Sequence, residues 1–297
     1  MENSFVTPSF PFFIGCPVWA SDMWSDVVYP ARTPRREWLH WYTRMFNTVE
    51  GNSTFYALPP IETAKRWSDE AAEGFEFSLK FPRDISHEGS LRESSLLDRF
   101  VEIVSVLAKG NHAGPSFLQL PPWFDSSRFD ELVHFLQRLP SQFRWAVEVR
   151  HETWFNDERV EAHFHEALIS LGIDRVIFDS RGLFQSPPDD PIEAESQKRK
   201  PRSPVRFVRT GKHPVIRIVG RNRIELADRF VSEWLPVLHQ WTSDGCRPYV
   251  FTHAPDDAFA PAFARRLADQ YRTAFAPDAL ALPIPPMPPK QLTLFDE

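Results

Sequence analysis

Residues 145–150 read Trp-Ala-Val-Glu-Val-Arg, and this stretch decides the fold class. Residues two apart in a strand point to the same side, so Val147 and Val149 share one face while Glu148 and Arg150 share the other. A strand of a TIM-type barrel has an outer face against helices and an inner face toward the barrel axis. We therefore predict that the valines face helices and that the two charges face the axis, near the carboxyl ends of the strands.

Short apolar runs like this one recur along the chain, and amphipathic segments separate them. The predicted strands lie at 12–19, 47–55, 75–81, 116–121, 144–150, 175–180, 214–220 and 248–253. The intervening segments have helical spacing; one begins with Thr33 and Pro34, and another is capped by Asp157. Eight strand-then-helix units in one α/β chain of 297 residues predict a single (β/α)8 TIM-type barrel. A doubly wound open sheet is the alternative, but the chain lacks a glycine-rich dinucleotide fingerprint.

The predicted barrel covers 12–275, between an N-terminal extension at 1–11 and a Pro-rich extended tail at 276–297. Its sixth unit is irregular, because residues 181–213 contain prolines and charges but no convincing helical pattern. We expect a long loop there. In the following unit, Pro236 is expected to kink or end the helix.

Composition limits the functional class. The net charge is −6 and the pI about 6.0, so nucleic-acid binding would require a local basic patch. The two cysteines, Cys16 and Cys246, favour free thiols in a reducing compartment over a disulfide framework. The N-terminus lacks a basic region before its short apolar run, and no stretch reaches the length of a membrane span. We expect a cytoplasmic protein without a membrane partner.

Polar side chains lie within or at the carboxyl ends of seven of the predicted strands, and the first predicted strand ends in Trp19. The predicted inward-facing set consists of Trp19, Glu50, Asn52, Lys80, Gln119, Glu148, Arg150, Asp179, Arg217 and His253. Three acids and three bases in this set balance, which fits a structural ion-pair plug. Because the groups come from separate strands and converge on the catalytic end of the fold, a functional site is favoured.

The bases Lys80, Arg150 and Arg217 are suited to holding a phosphate or carboxylate group. Glu50 or Glu148 is a candidate general base, and the other would act as an acid if its pKa were raised. The substrate class that follows is a phosphate- or carboxylate-bearing molecule.

Three further groups complete the catalytic candidates. Asp179 is the third acid of the set. His87 and His151 lie in predicted loops at the same end, where either could shuttle protons, although surface histidines usually have no such role. No cofactor is identified. A divalent metal held by acids of the set and a histidine ranks below an anion, because three bases nearby repel a cation.

Several motifs resemble those of the YecE-like proteins, a family defined as a domain of unknown function and numbered seventy-two. The motifs are FNTVEGNSTFYALPP at 46–60, SLKFPRDISHE at 78–88, GPSFLQLPPWF at 114–124 and AVEVRHETWF at 146–155. The resemblance covers about 12–275 and implies a TIM-type barrel without implying a reaction. Two positions depart from the family pattern, which usually has an aliphatic residue at Gly51 and commonly Phe-Asn-Asn where this chain has Thr252, His253 and Ala254.

A basic segment covers residues 198–212 and is predicted to lie over the carboxyl ends of the strands. Its bases are Lys198, Arg199, Lys200, Arg202, Arg206, Arg209 and Lys212. One reading is a solvated loop neutralised by the acidic stretch at 189–195. The other is an electrostatic guide for a polyanion such as a nucleic acid.

The chain ends in QLTLFDE after a proline-rich spacer. Gln291, Leu292, Leu294 and Phe295 resemble the peptide with which bacterial DNA-processing proteins bind the replicative sliding clamp. A tail that folds back on its own barrel explains the same apolar residues equally well.

Three functions are therefore considered from the sequence. The first is an enzyme that acts on a phosphate-bearing substrate, a nucleic acid or nucleotide among them, by general acid–base chemistry. The second is a non-catalytic adaptor that binds an anion and reaches a partner through its tail. The third is a small-molecule isomerase or lyase for a sugar-like acid. Fold alone does not separate them.

Overall fold

The computed structural model describes residues 10–88, 91 and 95–283. Within them, eight strands alternate with helices. The strands are β1 (Phe13–Gly15), β2 (Thr48–Gly51), β3 (Glu76–Leu79), β4 (Ser116–Gln119), β5 (Trp145–Glu148), β6 (Asp174–Asp179), β7 (Val215–Val219) and β8 (Tyr249–His253). Each apolar run predicted to be a strand overlaps one of these, so the strand prediction is confirmed.

The α-helices are α1 (Trp38–Met45), α2 (Ser53–Tyr56), α3 (Ile61–Glu70), α4 (Arg83–Ser86), α5 (Ser95–Lys109), α6 (Phe129–Leu136), α7 (Glu158–Leu171), α8 (Arg181–Phe184), α9 (Pro191–Arg199), α10 (Asp228–Ser243) and α11 (Ala260–Phe275). Short 3-10 helices lie at Asp22–Trp24, Arg35–Glu37, Ser126–Arg128, Glu152–Trp154, Ile224–Ala227 and Asp257–Phe259. Asp157 caps α7 as predicted, because its side chain accepts a hydrogen bond from the Arg159 N–H.

The strands are parallel, and the ladders between them form two sheets. Six strands follow the order β1-β8-β7-β6-β5-β4, and β2 pairs with β3. Backbone hydrogen bonds nevertheless cross both seams. The Glu50 N–H donates to the Cys16 carbonyl at 3.0 Å, and the Phe81 N–H donates to the Phe117 carbonyl at 3.0 Å. Beside the second seam, the Phe77 N–H donates to the His112 carbonyl and the Phe77 carbonyl accepts from the Gly114 N–H, each at 2.8 Å. The architecture is thus an α/β fold with a curled, six-stranded parallel sheet. A complete eight-unit barrel is not confirmed.

Strand register brings the polar ends of neighbouring strands together. Gln119 on β4 pairs with Glu148 on β5, and Val219 on β7 pairs with His253 on β8. All residues of the eight strands are buried, as expected when helices cover a parallel sheet. Val147 and Val149 lie in the main core with residues of the surrounding helices, so their predicted orientation is confirmed.

Two local predictions were wrong. Residues 181–213 contain α8 and α9, and α9 escaped notice because it buries Glu193 and Ser196 instead of apolar residues. Its start is nevertheless encoded, since the Asp190 side chain accepts from the Glu193 N–H and proline follows Asp190. Thr33 caps no helix; its hydroxyl donates to the Pro30 carbonyl instead. Pro236 does not end its helix, because it lies inside α10, which continues to Ser243.

Candidate functional site

Arg217, from the middle of β7, lies between two glutamates that come from other strands. Its Nε donates to Glu50 Oε2 at 2.7 Å and its Nη2 to Glu50 Oε1 at 2.8 Å. Its Nη1 donates to Glu148 Oε2 at 2.5 Å. All three side chains are buried. One guanidinium group therefore neutralises half of the charge of two carboxylates at once.

Arg150 supplies the second positive charge. Its Nε donates to Glu148 Oε1 at 2.6 Å, and its Nη2 donates to Gln119 Oε1 at 2.8 Å. The same Gln119 oxygen accepts from Arg217 Nη1 at 3.2 Å. Glu148 and Arg150 are thus brought together on the inner face, as their spacing predicted. We refer to Glu50, Glu148, Arg150 and Arg217 as the charged cluster.

Asn52 and His253 complete the hydrogen bonding of Glu50. Asn52 Nδ2 donates to Glu50 Oε1 at 2.7 Å, and His253 Nε2 lies 3.0 Å from Glu50 Oε2. Burial lowers the pKa of His253, although the nearby Glu50 charge opposes this effect. The imidazole is then neutral at about pH 7 and donates from Nε2–H to the ionised carboxylate.

Both carboxylates of the charged cluster are held in the ionised form. Burial alone would raise the pKa of Glu50, but the charge of Arg217 and the hydrogen bonds from Arg217 and His253 outweigh it and hold the pKa well below its usual range. The same competition, with Arg150 and Arg217 as the opposing cations, lowers the pKa of Glu148 to about 2. Neither glutamate is therefore protonated near neutral pH in this arrangement.

Lys80 lies beside the charged cluster without joining its ion pairs. It follows β3, its residue is 8% exposed, and its Nζ lies 3.9 Å from the centroid of the Phe55 ring. No carboxylate of a described residue lies within 4.0 Å of this Nζ. Burial, followed by the charge of Arg217, lowers the pKa of Lys80 to about 7 against the opposing effect of Glu148 and Glu50.

Lys200 is a second lysine near the charged cluster, and the sequence placed it in the basic segment, read either as a solvated loop or as an electrostatic guide. It immediately follows α9 and is half-buried. Burial and the charge of Arg217 lower its pKa to about 8, and Glu50 opposes the shift. Two ammonium groups that titrate near neutral pH therefore lie next to the cluster. Pattern reasoning missed Lys200 because the helix that positions it has no apolar stripe.

His87 lies near Lys80 and Arg150, as expected for a residue at the ends of the strands. Burial, together with the charges of those two residues, lowers its pKa to about 4, so its ring is neutral at about pH 7. Ser86 Oγ donates its proton to the Pro82 carbonyl at 3.0 Å, so it accepts from His87 Nδ1, 2.8 Å away. The lone pair of the ring is then on Nε2.

Three predicted site residues lie away from the charged cluster. Asp179 is buried but accepts hydrogen bonds from Arg181 and from Trp234 Nε1 at 2.9 Å, so the alternation assigned to β6 was wrong. Phe178 takes the inner position, with Arg217 5.3 Å and Arg150 5.2 Å from its ring centroid.

Trp19 and His151 are also held elsewhere. Trp19 packs against Trp67 of α3 and against Phe77, with centroid distances of 5.0 and 6.0 Å, outside the charged cluster. His151 caps the 3-10 helix that follows β5, because its Nδ1 accepts from the Thr153 N–H at 3.3 Å.

The basic segment does not simply neutralise its acidic neighbour. Arg206 pairs with Glu161 at 3.2 Å, and Arg209 pairs with Asp244 at 3.1 Å. Arg202 stacks over Phe184, whereas Arg199 pairs with Glu195 on the same helix. Some charges of the segment are therefore paired with carboxylates outside the acidic stretch, whereas Arg202 lies against an aromatic ring. The tail residues Gln291, Leu292, Leu294 and Phe295 lie outside the described residues.

Within the described ranges, no group of three or more histidine, cysteine, aspartate or glutamate side chains is arranged to hold a metal ion. The guanidinium of Arg217 lies where a cation shared by Glu50 and Glu148 would sit. Among the same residues, no helix is long and apolar enough to cross a membrane. Both thiols, Cys16 and Cys246, are buried and free.

Comparison with known proteins gives a consistent result. The family model described as "Protein of unknown function DUF72" matches residues 13–289. The UPF0759 protein YecE of Escherichia coli (strain K12) is 35% identical over 284 residues, covering 95% of this chain and 99% of that protein. The UPF0759 protein YunF of Bacillus subtilis (strain 168) is 27% identical over 152 residues, covering 48% of this chain and 52% of YunF.

Two crystal structures have the same fold. A DUF72 family protein from Enterococcus faecalis V583 superposes with a TM-score of 0.66 at 15% identity, covering 95% of this chain and all of that chain (100%). A DUF72 family protein from Thermotoga maritima MSB8 gives a TM-score of 0.63 at 19% identity, covering 88% and 98%.

Proposed function

The chain belongs to the DUF72 family, and we propose that it binds a small phosphate- or carboxylate-bearing molecule at the carboxyl ends of its strands and acts on it by acid–base chemistry. One observation carries the proposal. Lys80 and Lys200 lie beside a charged cluster that is already neutral, and neither ammonium group has a carboxylate partner among the described residues.

The charge balance favours an anion as the ligand. Glu50 and Glu148 together carry two negative charges, and Arg150 and Arg217 carry two positive charges in direct contact with them. The two lysines then add positive charge that nothing in the cluster compensates. An anionic ligand group would complete the pairing, with charge-assisted hydrogen bonds that are stronger than neutral ones.

Acid–base chemistry is better assigned to Lys80 than to the two glutamates. A proton-transfer group works best when its pKa is near the working pH. The pKa of Lys80 is lowered to about 7, whereas that of Glu148 is lowered to about 2 and that of Glu50 lies well below its usual range. In this proposal, Glu50 and Glu148 fix the positions of Arg217 and Arg150, and Arg150 contacts the ligand.

We also infer that the eight strands act as one TIM-type barrel. The backbone hydrogen bonds that cross both seams between the six-stranded and two-stranded sheets support this reading. The hydrogen bonds from Arg217 on β7 to Glu50 on β2 support it further, because they join the two sheets through side chains. A ligand site at the carboxyl ends of the strands is the usual arrangement in such barrels.

The test is calorimetric titration of the purified protein with inorganic phosphate at about pH 7. Lys80→Met and Lys200→Met should each weaken binding roughly tenfold, since hydrogen bonds to charged groups contribute about 1.5–3 kcal/mol. Lys109→Met, on the exposed end of α5, is the matched control. Unchanged phosphate affinity in both site variants would indicate that the charged cluster has only a structural role.

A screen of phosphorylated metabolites, sugar-like acids and nucleic-acid structures then separates the enzyme from the adaptor. An activity that is lost in Lys80→Met would identify an enzyme, and its substrate would distinguish hydrolysis from isomerase or lyase chemistry. Binding without turnover across the screen would favour the adaptor.

Recruitment to DNA through the C-terminal tail is a separate proposal, and the sequence QLTLF at 291–295 supports it. Leu292, Leu294 and Phe295 are apolar anchors, and each buried side chain contributes roughly 1.5–3 kcal/mol. Because ordering a peptide on binding offsets part of this gain, we expect an affinity on the order of micromolar. Binding to a bacterial sliding clamp should be lost in a Leu294→Ala, Phe295→Ala variant, and equal binding by both forms would exclude the tail as the contact.

A further inference from the structure

Lys80 has an unusual environment for a lysine. Its stem is buried, its Nζ lies over the face of Phe55 at 3.9 Å from the ring centroid, and no described residue accepts a hydrogen bond from it. Buried lysines normally pair with a carboxylate. Glu50 and Glu148 are nearby but are already engaged by Arg217 and Arg150, so the lysine amine is left available.

The surroundings of Lys80 also favour its neutral form. Burial and the charge of Arg217 disfavour the ammonium, so the pKa falls to about 7 and a large fraction of the amine is unprotonated at about pH 7. A neutral lysine amine in a desolvated position is a nucleophile toward carbonyl groups. An ordinary exposed lysine has a pKa near about 10.4 and is almost entirely protonated at the same pH.

We propose that Lys80 forms an imine with an aldehyde or ketone that also carries a phosphate or carboxylate group. This inference rests on the proposed function, because Arg150 and Lys200 would hold the anionic group while Lys80 meets the carbonyl carbon. It narrows the substrate class to anionic carbonyl compounds.

The chemistry balances without any oxidant or reductant. The Nζ lone pair forms a C–N bond while the carbonyl π pair moves onto oxygen, and one Nζ proton is transferred to that oxygen to give a neutral carbinolamine. The hydroxyl then takes up a proton, the C–O bond breaks and water leaves as the nitrogen lone pair forms the C=N bond. Loss of the second Nζ proton restores the proton that was taken up, so the amine and the carbonyl yield one imine and one water. Solvent exchanges these protons, and His87, whose ring packs against Phe55 at 5.1 Å between centroids, keeps Nδ1–H on Ser86 and offers the Nε2 lone pair, unassigned to any described residue, as a hydrogen-bond acceptor.

Lys200 is the competing amine, and its surroundings differ. It follows the last residue of α9, it is only half-buried, and no aromatic ring covers its amine among the described contacts. Its pKa is lowered to about 8, so a smaller fraction is neutral at about pH 7. We therefore assign imine formation to Lys80 and anion binding to Lys200.

The test uses pyridoxal phosphate, an aldehyde that carries a phosphate, followed by reduction with borohydride and peptide mass spectrometry. With less than one equivalent of pyridoxal phosphate per protein at about pH 7, the reduced adduct should be found predominantly on Lys80. Added inorganic phosphate should suppress the formation of this adduct. Pyridoxal, which lacks the phosphate, should label Lys80 much less. Lys80→Arg should remove this adduct, and Lys200→Met should weaken labelling without moving it to another lysine.

Two results overturn the proposal in distinguishable ways. If the folded protein binds inorganic phosphate and the adduct is spread over exposed lysines or found on Lys200, imine formation at Lys80 is wrong while the anion site stands. If inorganic phosphate does not bind at all, the proposed function fails as well. Lys80→Arg keeps the positive charge, so phosphate binding by this variant verifies that the site is intact when the adduct is lost.

Discussion

Arg217 binds Glu50 through two parallel hydrogen bonds, Nε to Oε2 at 2.7 Å and Nη2 to Oε1 at 2.8 Å. The residues are 167 positions apart and belong to β7 and β2, which lie in different sheets. A planar guanidinium matches a carboxylate in this paired geometry, whereas a lysine would offer a single point charge. This contact therefore connects the two sheets and orients the remaining nitrogen of Arg217 toward Glu148.

We predict that Arg217→Met lowers the free energy of unfolding by about 3–5 kcal/mol, because it leaves Glu50 buried without its main counter-charge. Urea unfolding monitored by circular dichroism measures the change. The control is Arg223→Met, which breaks an exposed pair with Glu225 and should cost about 0–1 kcal/mol. Adding Glu50→Gln to Arg217→Met should recover part of the loss. Equal costs for the buried and exposed variants would contradict the role assigned to Arg217.

We predict that stability falls in acid through the two buried glutamates. Their pKa values are lowered on folding, so the native state binds fewer protons than the unfolded state and their contribution is complete above about pH 4.5. For Glu148 this contribution is lost as the pH falls from about 4.5 toward 2. Urea midpoints should therefore decline over the accessible part of this range, and less steeply in Glu148→Gln. Parallel pH profiles would show that Glu148 is not the titrating group.

Strand alternation predicted the members of the charged cluster correctly where the alternation is regular. The prediction failed where a charged residue has a partner close by in the sequence. Glu148 and Arg150 alternate cleanly with two valines, so parity placed them correctly. On β6 the same rule assigned Asp179, and not Phe178, to the inner face, because it considered only which residue is polar. Asp179 is satisfied locally by Arg181, two residues later, and Phe178 is aligned with Arg217 in the β6–β7 register. Local partners of this kind are a signal that alternation ignores.

Lys200 illustrates a second limit of sequence reasoning. Its position depends on α9, and α9 is held by a buried polar contact that hydrophobic spacing does not reveal. Arg221 is fully buried, its Nε donates to Glu193 Oε2 at 2.7 Å, and its Nη2 lies 2.9 Å from Asp189 Oδ2. Glu193 Oε1 also accepts from the Asn222 N–H at 2.9 Å. These contacts fasten α9 to the loop that follows β7.

We predict that Arg221→Met loosens α9 and, through it, displaces Lys200 from the charged cluster. Hydrogen exchange at residues 189–202 should accelerate while exchange in β7 and β8 changes little, and the affinity for inorganic phosphate should fall toward that of Lys200→Met. Arg199→Met, which removes an exposed ion pair with Glu195 on the same helix, is the control. Faster exchange without any change in phosphate affinity would show that the position of α9 does not affect anion binding.

We predict that anion affinity decreases as the pH rises, because Lys80 and Lys200 lose their protons at about pH 7 and about pH 8. Sulfate is the suitable probe, since its own charge is constant over this range and that of phosphate is not. Calorimetric affinity should decline from about pH 6 to about pH 9. In a Lys80→Arg, Lys200→Arg variant, the guanidinium groups stay charged, so the decline should disappear. A decline that persists would assign the pH dependence to another group.

We predict that the basic segment influences nucleic-acid binding through only some of its charges. Arg206 and Arg209 are paired with Glu161 and Asp244, so they contribute little net field, whereas Lys198 on α9 has no carboxylate partner among the described residues. Arg202 stacks over Phe184 and likewise keeps its charge uncompensated. A single-stranded oligonucleotide is the probe, with affinity measured by fluorescence anisotropy over a range of salt concentrations.

In a Lys198→Gln, Arg202→Gln variant, the slope of log affinity against log salt should fall by roughly 1–1.5, since each neutralised phosphate contributes about 0.7 for single strands. Lys200 is left unchanged there, because its loss would also disturb the anion site. The matched control is Arg206→Gln, Arg209→Gln, which removes the same number of positive charges but also frees two carboxylates. If the segment guides a polyanion, the salt slope should fall more in the Lys198→Gln, Arg202→Gln variant than in the Arg206→Gln, Arg209→Gln control. The two variants are compared at equal loss of oligonucleotide affinity at low salt. Identical slopes in the parent and the Lys198→Gln, Arg202→Gln variant would remove the segment from any role in polyanion binding.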